Sequence, residues 1–99
     1  MEQKIKNQSF GEVKKNAQNL CNFLSNNYDS ELIINPKARD FSHPQFGTTF
    51  NFGFTLTEDY TPCGIYLLSE KQEIYIHANN KKNLKKIEQI LIDKKVLKQ

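Results

Sequence analysis

The sequence predicts an α+β fold, a two-layer sandwich in which an antiparallel sheet is covered on one face by an N-terminal and a C-terminal helix. Apolar residues recur at helical spacing near both ends of the chain. They alternate with polar residues in the middle, and the links between the middle segments are short enough for antiparallel pairing. The predicted order is α-β-β-β-β-α, and residues 1–99 are expected to form a single domain.

The first helix is predicted over residues 10–26. Ser9 and Glu12 have the S-x-x-E spacing of a capping box, in which both side chains accept hydrogen bonds from backbone N–H groups at the start of a helix. Asn26 and Asn27 favour an ending there, because asparagine tolerates the left-handed conformation. Residues 1–8 are expected to be a disordered tail. The apolar stripe of the helix consists of Phe10, Val13, Ala17, Leu20, Cys21 and Leu24.

Two strands are predicted in the first half of the sheet region. Leu32–Ile34 is a short apolar run that the Asn35-Pro36 pair ends. Residues 36–47 contain two prolines and a glycine without periodicity, which predicts a long loop. Residues 48–57 alternate between apolar and polar side chains, as a half-buried strand does.

Two further strands are predicted over residues 65–69 and 73–78. A turn is expected at residues 59–64, which include a proline and a glycine, and a tight hairpin at residues 70–72. Alternation then assigns the strand residues to two faces. The face expected under the helices holds Phe50, Phe52, Phe54, Ile65, Leu67, Ile74 and Ile76. The opposite face, called the open face below, holds Asn51, Gly53, Thr55, Tyr66, Leu68, Tyr75 and His77.

The last helix is expected to begin after Asn79 and Asn80, either of which can cap it. Its apolar residues Leu84, Ile87, Ile90 and Leu91 share one side. Four lysines occupy its first turns, where positive charge opposes the helix dipole. This unfavourable placement suggests a use in binding phosphate or acidic groups. The lysines are Lys81, Lys82, Lys85 and Lys86.

The charge of the chain is unevenly distributed. The formal net charge is +3, with about +2 in residues 1–28, −4 in residues 29–78 and +5 in residues 79–99. The chain has 13 lysines and a single arginine, together with 11 asparagines and 9 isoleucines. This bias is typical of an AT-rich coding sequence, so much of the lysine excess needs no nucleic-acid partner to explain it.

Several classes of protein are excluded by composition. No apolar run approaches the roughly 18 residues of a membrane span. Two cysteines without Cys-x-x-Cys spacing exclude a disulfide scaffold and a zinc finger. No nucleotide, cofactor or metal motif is present, so neither a cofactor nor a metal is expected. With no apolar leader at residues 1–8, a reducing cytoplasm is the expected compartment.

The open face is the leading candidate for a binding surface. Tyr66, Leu68, Tyr75 and His77 put aromatic and apolar side chains where an exposed sheet normally carries small polar ones. Arg39 and Asp40 in the long loop are further candidates, because a lone arginine offers a planar, two-pronged contact to carboxylates. We predict a small non-enzymatic protein that occludes or bridges a protein partner, as an inhibitor, immunity-type protein or adaptor does, and that is a monomer or a homodimer through the open face.

Two alternatives remain open at this point. The first is a nucleic-acid-binding protein that uses Lys81, Lys82, Lys85 and Lys86. The second is a small cysteine-dependent enzyme, since an antiparallel hairpin would bring Cys63 near His77. The commoner interpretation of Cys63 is an incidental thiol.

Overall fold

A computed structural model describes the backbone of residues 1–34 and 39–99, and the side chains of residues 1–34 and 42–99. These segments form a sheet with two helices packed on it. In chain order the elements are β1 (Glu2–Ile5), α1 (Phe10–Asn26), β2 (Leu32–Ile34), β3 (Arg39–His43), β4 (Gly47–Leu56), β5 (Thr61–Leu68), β6 (Glu73–His77) and α2 (Lys81–Asp93).

The sheet is antiparallel throughout and is organised around β4. Its strand order is β1-β6-β5-β4-β2, with β3 also paired to β4. Along one side, β4 pairs with β5 over eight residue pairs. Its other side is shared, because β3 pairs with the first half of β4 and β2 with the second half. The predicted α+β class, with the two helices on the sheet, is confirmed.

The prediction that residues 1–8 are a disordered tail is wrong for β1. This strand pairs with β6, and the Met1 amino group donates a hydrogen bond to the Ala78 carbonyl oxygen at 2.9 Å. Its only buried apolar side chain is Ile5. An outer strand with so little burial is stabilised largely by backbone pairing, which leaves little apolar pattern in the sequence.

The predicted long loop over residues 36–47 is also wrong in part, because β3 lies within it; residues 36–38 are outside the described chain. The β3–β4 turn is held by His43, whose Nδ1 accepts hydrogen bonds from the backbone N–H groups of Gln45 and Phe46 at 3.0 and 3.2 Å. Like β1, β3 is stabilised by pairing with a neighbouring strand, here β4. The nearby prolines and glycine favoured the prediction of a loop instead.

The turn predicted at residues 59–64 is shorter than expected, since β5 begins at Thr61. Pro62 of β5 pairs with Thr55 of β4. The pairing of β5 with β6 begins only at Gly64, opposite His77, so β6 does not extend as far as Pro62. Proline is tolerated there because β5 has a strand neighbour on one side only.

The core lies between the sheet and the two helices. The predicted inner residues Phe50, Phe52, Phe54, Ile65, Leu67, Ile74 and Ile76 are all buried, as are the apolar stripes of both helices except Phe10, which is partly buried against the core. At the start of α1, the Ser9 side chain accepts a hydrogen bond from the Glu12 backbone N–H, as predicted, while the Glu12 carboxylate contacts Lys98 at 2.9 Å. Within the described segments, no helix is long and apolar enough to cross a bilayer.

Both ends of α2 are closed by hydrogen bonds. The Asn80 side chain accepts a hydrogen bond from the Asn83 backbone N–H at 2.8 Å, which confirms the predicted cap. After Asp93 the chain turns through Lys95, which has a φ of 67°. The backbone N–H groups of Val96 and Leu97 then both reach the carbonyl oxygen of Leu91. This turn returns two apolar side chains to the core.

A salt bridge joins the end of α2 to the loop after α1. The Lys94 Nζ donates to Asp29 Oδ2 at 2.6 Å, and Asp29 Oδ1 accepts from the backbone N–H groups of Glu31 and Leu32 at 2.8 and 2.9 Å. Burial acts to raise the pKa of Asp29, but these hydrogen bonds outweigh it and the pKa is lowered.

We expect Asp29→Asn to lower the free energy of unfolding by about 1–2 kcal/mol at neutral pH, because it removes the carboxylate that Lys94 contacts. Since the folded state has the lower pKa, this stabilisation is complete above the ordinary value of 3.8 and is lost as the pH falls through the folded value. Urea denaturation at a series of pH values measures it. The exposed carboxylate of Asp93 provides the control, since Asp93→Asn should have little effect; a pH-independent cost of Asp29→Asn would contradict the assignment.

Candidate functional site

The open face is formed by side chains of four adjacent strands that point away from the helices. One row across it contains Lys4, Tyr75, Tyr66 and Asn51, which are successive strand partners. The next row contains Glu2, His77, Gly64 and Gly53. Tyr66, Tyr75 and His77 are half-buried, whereas their strand neighbours Ile65 and Ile76 are fully buried. The predicted division into two faces therefore holds in the centre of the sheet.

Three rings on this face, in which Tyr66 contacts both of the others, are called the ring cluster: Tyr66, Tyr75 and His77. The two tyrosine rings are stacked, with centroids 5.2 Å apart and planes inclined by 14°. The imidazole lies 5.8 Å from the Tyr66 ring at an angle of 40°. The expected cross-strand tyrosine pair is thus present.

Carboxylates hold the phenol groups of the ring cluster. The Tyr66 hydroxyl donates a hydrogen bond to the Glu2 carboxylate, and the Tyr75 hydroxyl donates to Glu73 Oε1 at 3.3 Å. Lys4 Nζ donates to Glu73 Oε2 at 2.6 Å. Burial and the neighbouring carboxylates raise the pKa of both tyrosines, so both phenols remain protonated hydrogen-bond donors.

His77 is packed against the backbone of β5. A Cβ atom added to Gly64 would lie 2.7 Å from His77 Nε2 and 2.7 Å from the Phe52 carbonyl oxygen. The imidazole therefore occupies space that only glycine leaves free. Burial lowers the pKa of His77, the N-terminal amino group adds to this, and Glu2 opposes it. The ring is consequently neutral at neutral pH.

Glu2, Lys4 and Glu73 were not predicted as site residues. Glu2 and Lys4 lie on β1, within the residues that were predicted to be a tail. The available signal was the alternation of Glu2 and Lys4 with Gln3 and Ile5, which has the period of a strand. Four residues of such alternation are too few to identify a strand alone.

The other predicted protein-binding residues are less accessible or lie outside the described side chains. Leu68 is only 3% exposed, and its β4 partner Thr49 is equally buried, so Leu68 is not available for contact. Arg39 and Asp40 belong to β3, in register with Asn51 and Phe50. Their side chains are outside the described part of the structure.

The sheet separates Cys63 from His77. The β5–β6 pairing sets His77 opposite Gly64, and Cys63, one residue earlier, points to the other face and is buried in the core. Burial, with a smaller effect of Asp59, raises the pKa of Cys63 to about 12. A neutral, inaccessible thiol is no nucleophile. Among the described residues, no group of three histidine, cysteine, aspartate or glutamate side chains could hold a metal ion.

Three of the four predicted basic residues of α2 remain without an ion pair within the described side chains: Lys81, Lys82 and Lys85 are exposed. The fourth, Lys86, is paired with the Glu58 carboxylate. Lys81 and Lys85 line a groove of about 410 Å³ together with Met1, Gln3 and Leu84, which brings this basic end of α2 close to β1.

Comparison with protein-family models, with curated proteins and with solved structures gives no match for this chain. Its function is therefore inferred from the chemistry of the open face and of the α2 lysines.

We expect Gly64→Ala to lower the free energy of unfolding by about 1–3 kcal/mol, because the added methyl group overlaps both an imidazole and a fixed backbone oxygen. Gly11→Ala is the matched control. A Cβ there meets nothing within 4 Å, and alanine favours α1 by up to about 1 kcal/mol. Thermal denaturation measures both variants.

Adding His77→Ala should reduce the cost of Gly64→Ala, since one of the two overlaps is then removed. An equal cost in both backgrounds would show that the imidazole does not lie over Gly64.

Proposed function

We propose that the protein binds another protein through the open face and acts, without catalysis, by occluding or bridging that partner. An inhibitor, an immunity-type protein and an adaptor all work in this way. The observation that carries the proposal is the ring cluster, which lies on the sheet face that neither helix covers. Both cysteines are buried free thiols, which supports a reducing cytoplasm as the compartment.

The ring cluster has the properties of a protein-binding surface. Tyrosine rings offer a large apolar contact with a polar tip and lose little side-chain entropy on binding. Here the stacking of Tyr66 on Tyr75 and the hydrogen bonds to Glu2 and Glu73 fix the rings before any partner arrives. Binding of a partner would therefore cost less conformational entropy than binding to a surface with mobile side chains.

The same geometry disfavours nucleic acid on this face. Single-stranded nucleic acids bind by stacking bases on free ring faces, and their phosphates require positive charge. Tyr66 and Tyr75 stack on each other, and the carboxylates of Glu2 and Glu73 border the cluster. Lys4 is already paired with Glu73. A protein partner with neutral or basic contact residues suits this surface better.

We expect the double variant Tyr66→Ala, Tyr75→Ala to lose a stoichiometric partner that the native chain captures from the source organism. Buried interface tyrosines each contribute on the order of 2 kcal/mol, so the double loss weakens affinity by about two orders of magnitude or more. Affinity capture with quantitative mass spectrometry, with circular dichroism to check folding, measures this.

The control for that experiment is Tyr28→Ala, Tyr60→Ala. These tyrosines are 89% and 75% exposed and lie on loops, so their removal changes the same atoms elsewhere. Capture should be unaffected. Retention of the partner by the open-face variant, or its loss from the control, would place the interface on another surface.

A second candidate, nucleic-acid binding, is favoured by the exposed lysines at the start of α2. Lys81, Lys82 and Lys85 are free to contact phosphates, whereas Lys86 would first have to leave Glu58. Three lysines allow only about three phosphate contacts. The logarithm of the binding constant should therefore fall with the logarithm of the salt concentration at a slope of about −2 to −3.

If this candidate is correct, Lys81→Glu, Lys82→Glu, Lys85→Glu should abolish a mobility shift seen at low salt with DNA or RNA, because phosphates are then repelled. The charge-matched control replaces Lys6, Lys15 and Lys95, which are also exposed, with glutamate. The control should retain the shift. No shift with the native chain, or equal loss in both triple variants, would reject a specific site at α2.

A further inference from the structure

The outer edge of β1 has backbone groups available for a further strand. Met1 and Ala78 exchange two hydrogen bonds. The Met1 amino group donates to the Ala78 carbonyl oxygen at 2.9 Å, and the Ala78 N–H donates to the Met1 carbonyl oxygen at 3.0 Å. In an antiparallel pair, hydrogen-bonded residue pairs alternate with non-hydrogen-bonded ones. The bonds to β6 therefore belong to Met1, Gln3 and Ile5, and the N–H and C=O groups of Glu2 and Lys4 point outward.

We propose that this edge pairs with the same edge of a second copy of the chain, antiparallel across a twofold axis at Gln3. Glu2 of each copy then lies opposite Lys4 of the other. Each such pair exchanges two backbone hydrogen bonds, so that the two six-stranded sheets become continuous. This contact uses a surface distinct from the ring cluster and does not depend on the proposed function.

The hydrogen-bond alternation and the charges together select this register. Only even-numbered residues of β1 have outward backbone groups, so even residues must face even residues. One register of this kind sets Glu2 opposite Glu2, and another sets Lys4 opposite Lys4; both place like charges together, which is destabilising. The second of these would also need Lys6, which lies beyond β1 and just before Asn7, where φ is 62°. The register centred on Gln3 pairs opposite charges twice.

The side chains around β1 leave this edge accessible. Natural outer strands are often protected by short length, charged side chains, proline or a bulge. β1 is short and carries Glu2 and Lys4, but it has no proline or bulge, and Lys4 reaches back over the sheet to Glu73 of β6. Two grooves of about 510 and 410 Å³ lie along β1 on the helix side. They give room to side chains of a second copy such as Met1, which is 58% exposed.

Charge variants of β1 test the proposal. Sedimentation velocity at low salt, over a concentration series that reaches about 1 mM, detects a dimer with a binding free energy as weak as about −4 kcal/mol. The native chain should dimerise. Glu2→Lys and Lys4→Glu should each weaken the dimer about tenfold or more, since each creates two like-charge pairs. An equimolar mixture of the two variants should form a heterodimer, because both pairs are then attractive, and this also shows that both variants fold.

Lys6→Glu is the matched control and should leave the dimer unchanged. A disulfide trap provides a second measurement. Gln3→Cys should form a covalent dimer on mild oxidation, since the two Gln3 residues form a non-hydrogen-bonded pair with Cα atoms about 4.5 Å apart. Gln18→Cys, on the exposed side of α1, should not. The native cysteines are buried and do not interfere.

Three outcomes would overturn the proposal. The native chain could remain monomeric throughout the series. The dimer could persist equally in both single charge variants. The dimer could instead be lost in Tyr66→Ala, Tyr75→Ala and retained in Lys4→Glu, which would place the contact on the open face.

Discussion

The strict two-residue alternation along β4, β5 and β6 is the constraint on which the rest of the structure depends. It buries Phe52, Ile65 and Ile76 completely in one row beneath the helices. The adjacent row is left to Tyr66 and Tyr75 on the other side. A slip of one residue would exchange the two sets, so the core fixes the register of the open face. The proposed binding surface is in this sense held in place by buried residues of the core.

The candidate site joins parts of the chain that are distant in sequence. Glu2 reaches Tyr66 across 64 positions, and Lys4 reaches Glu73 across 69. Without β1 the ring cluster would lose the carboxylate that accepts from Tyr66 and the ammonium group of Lys4 that contacts Glu73. In the proposed dimer, the same short strand pairs through its outer edge with a second copy of the chain. Recognition through the face and self-association through the edge can therefore coexist in one molecule.

Elements with strong periodicity or a compact apolar run, such as α1, β4 and β2, could be predicted from the sequence, and the outer strands β1 and β3 could not. α1, the centre of β4 and the inner face are specified by many apolar side chains each, and their burial agrees with the pattern. β1 and β3 are held by backbone pairing with β6 and β4. Because almost any side chain is compatible with such pairing, it leaves no pattern in the sequence. For the site, the tyrosine stack followed from hairpin register, but the side on which Cys63 lies required the true start of β5. The burial of Leu68 beside Thr49 was not indicated by the alternation of side chains. A few residues' error in that boundary moved Cys63 from a core strand into a turn.

The two buried cysteines have a consequence for how the molecule opens. Cys21 lies on α1, in the helical layer, and Cys63 lies on the inner face of the sheet. Cys21 becomes accessible to a reagent when α1 leaves the sheet, whereas Cys63 becomes accessible when the helical layer over β5 opens or the whole chain unfolds. Their labelling rates therefore report on two different fluctuations, detachment of α1 and exposure of the central strands. Each layer therefore contains one native cysteine whose labelling rate measures how often that part of the structure opens, so no probe has to be introduced.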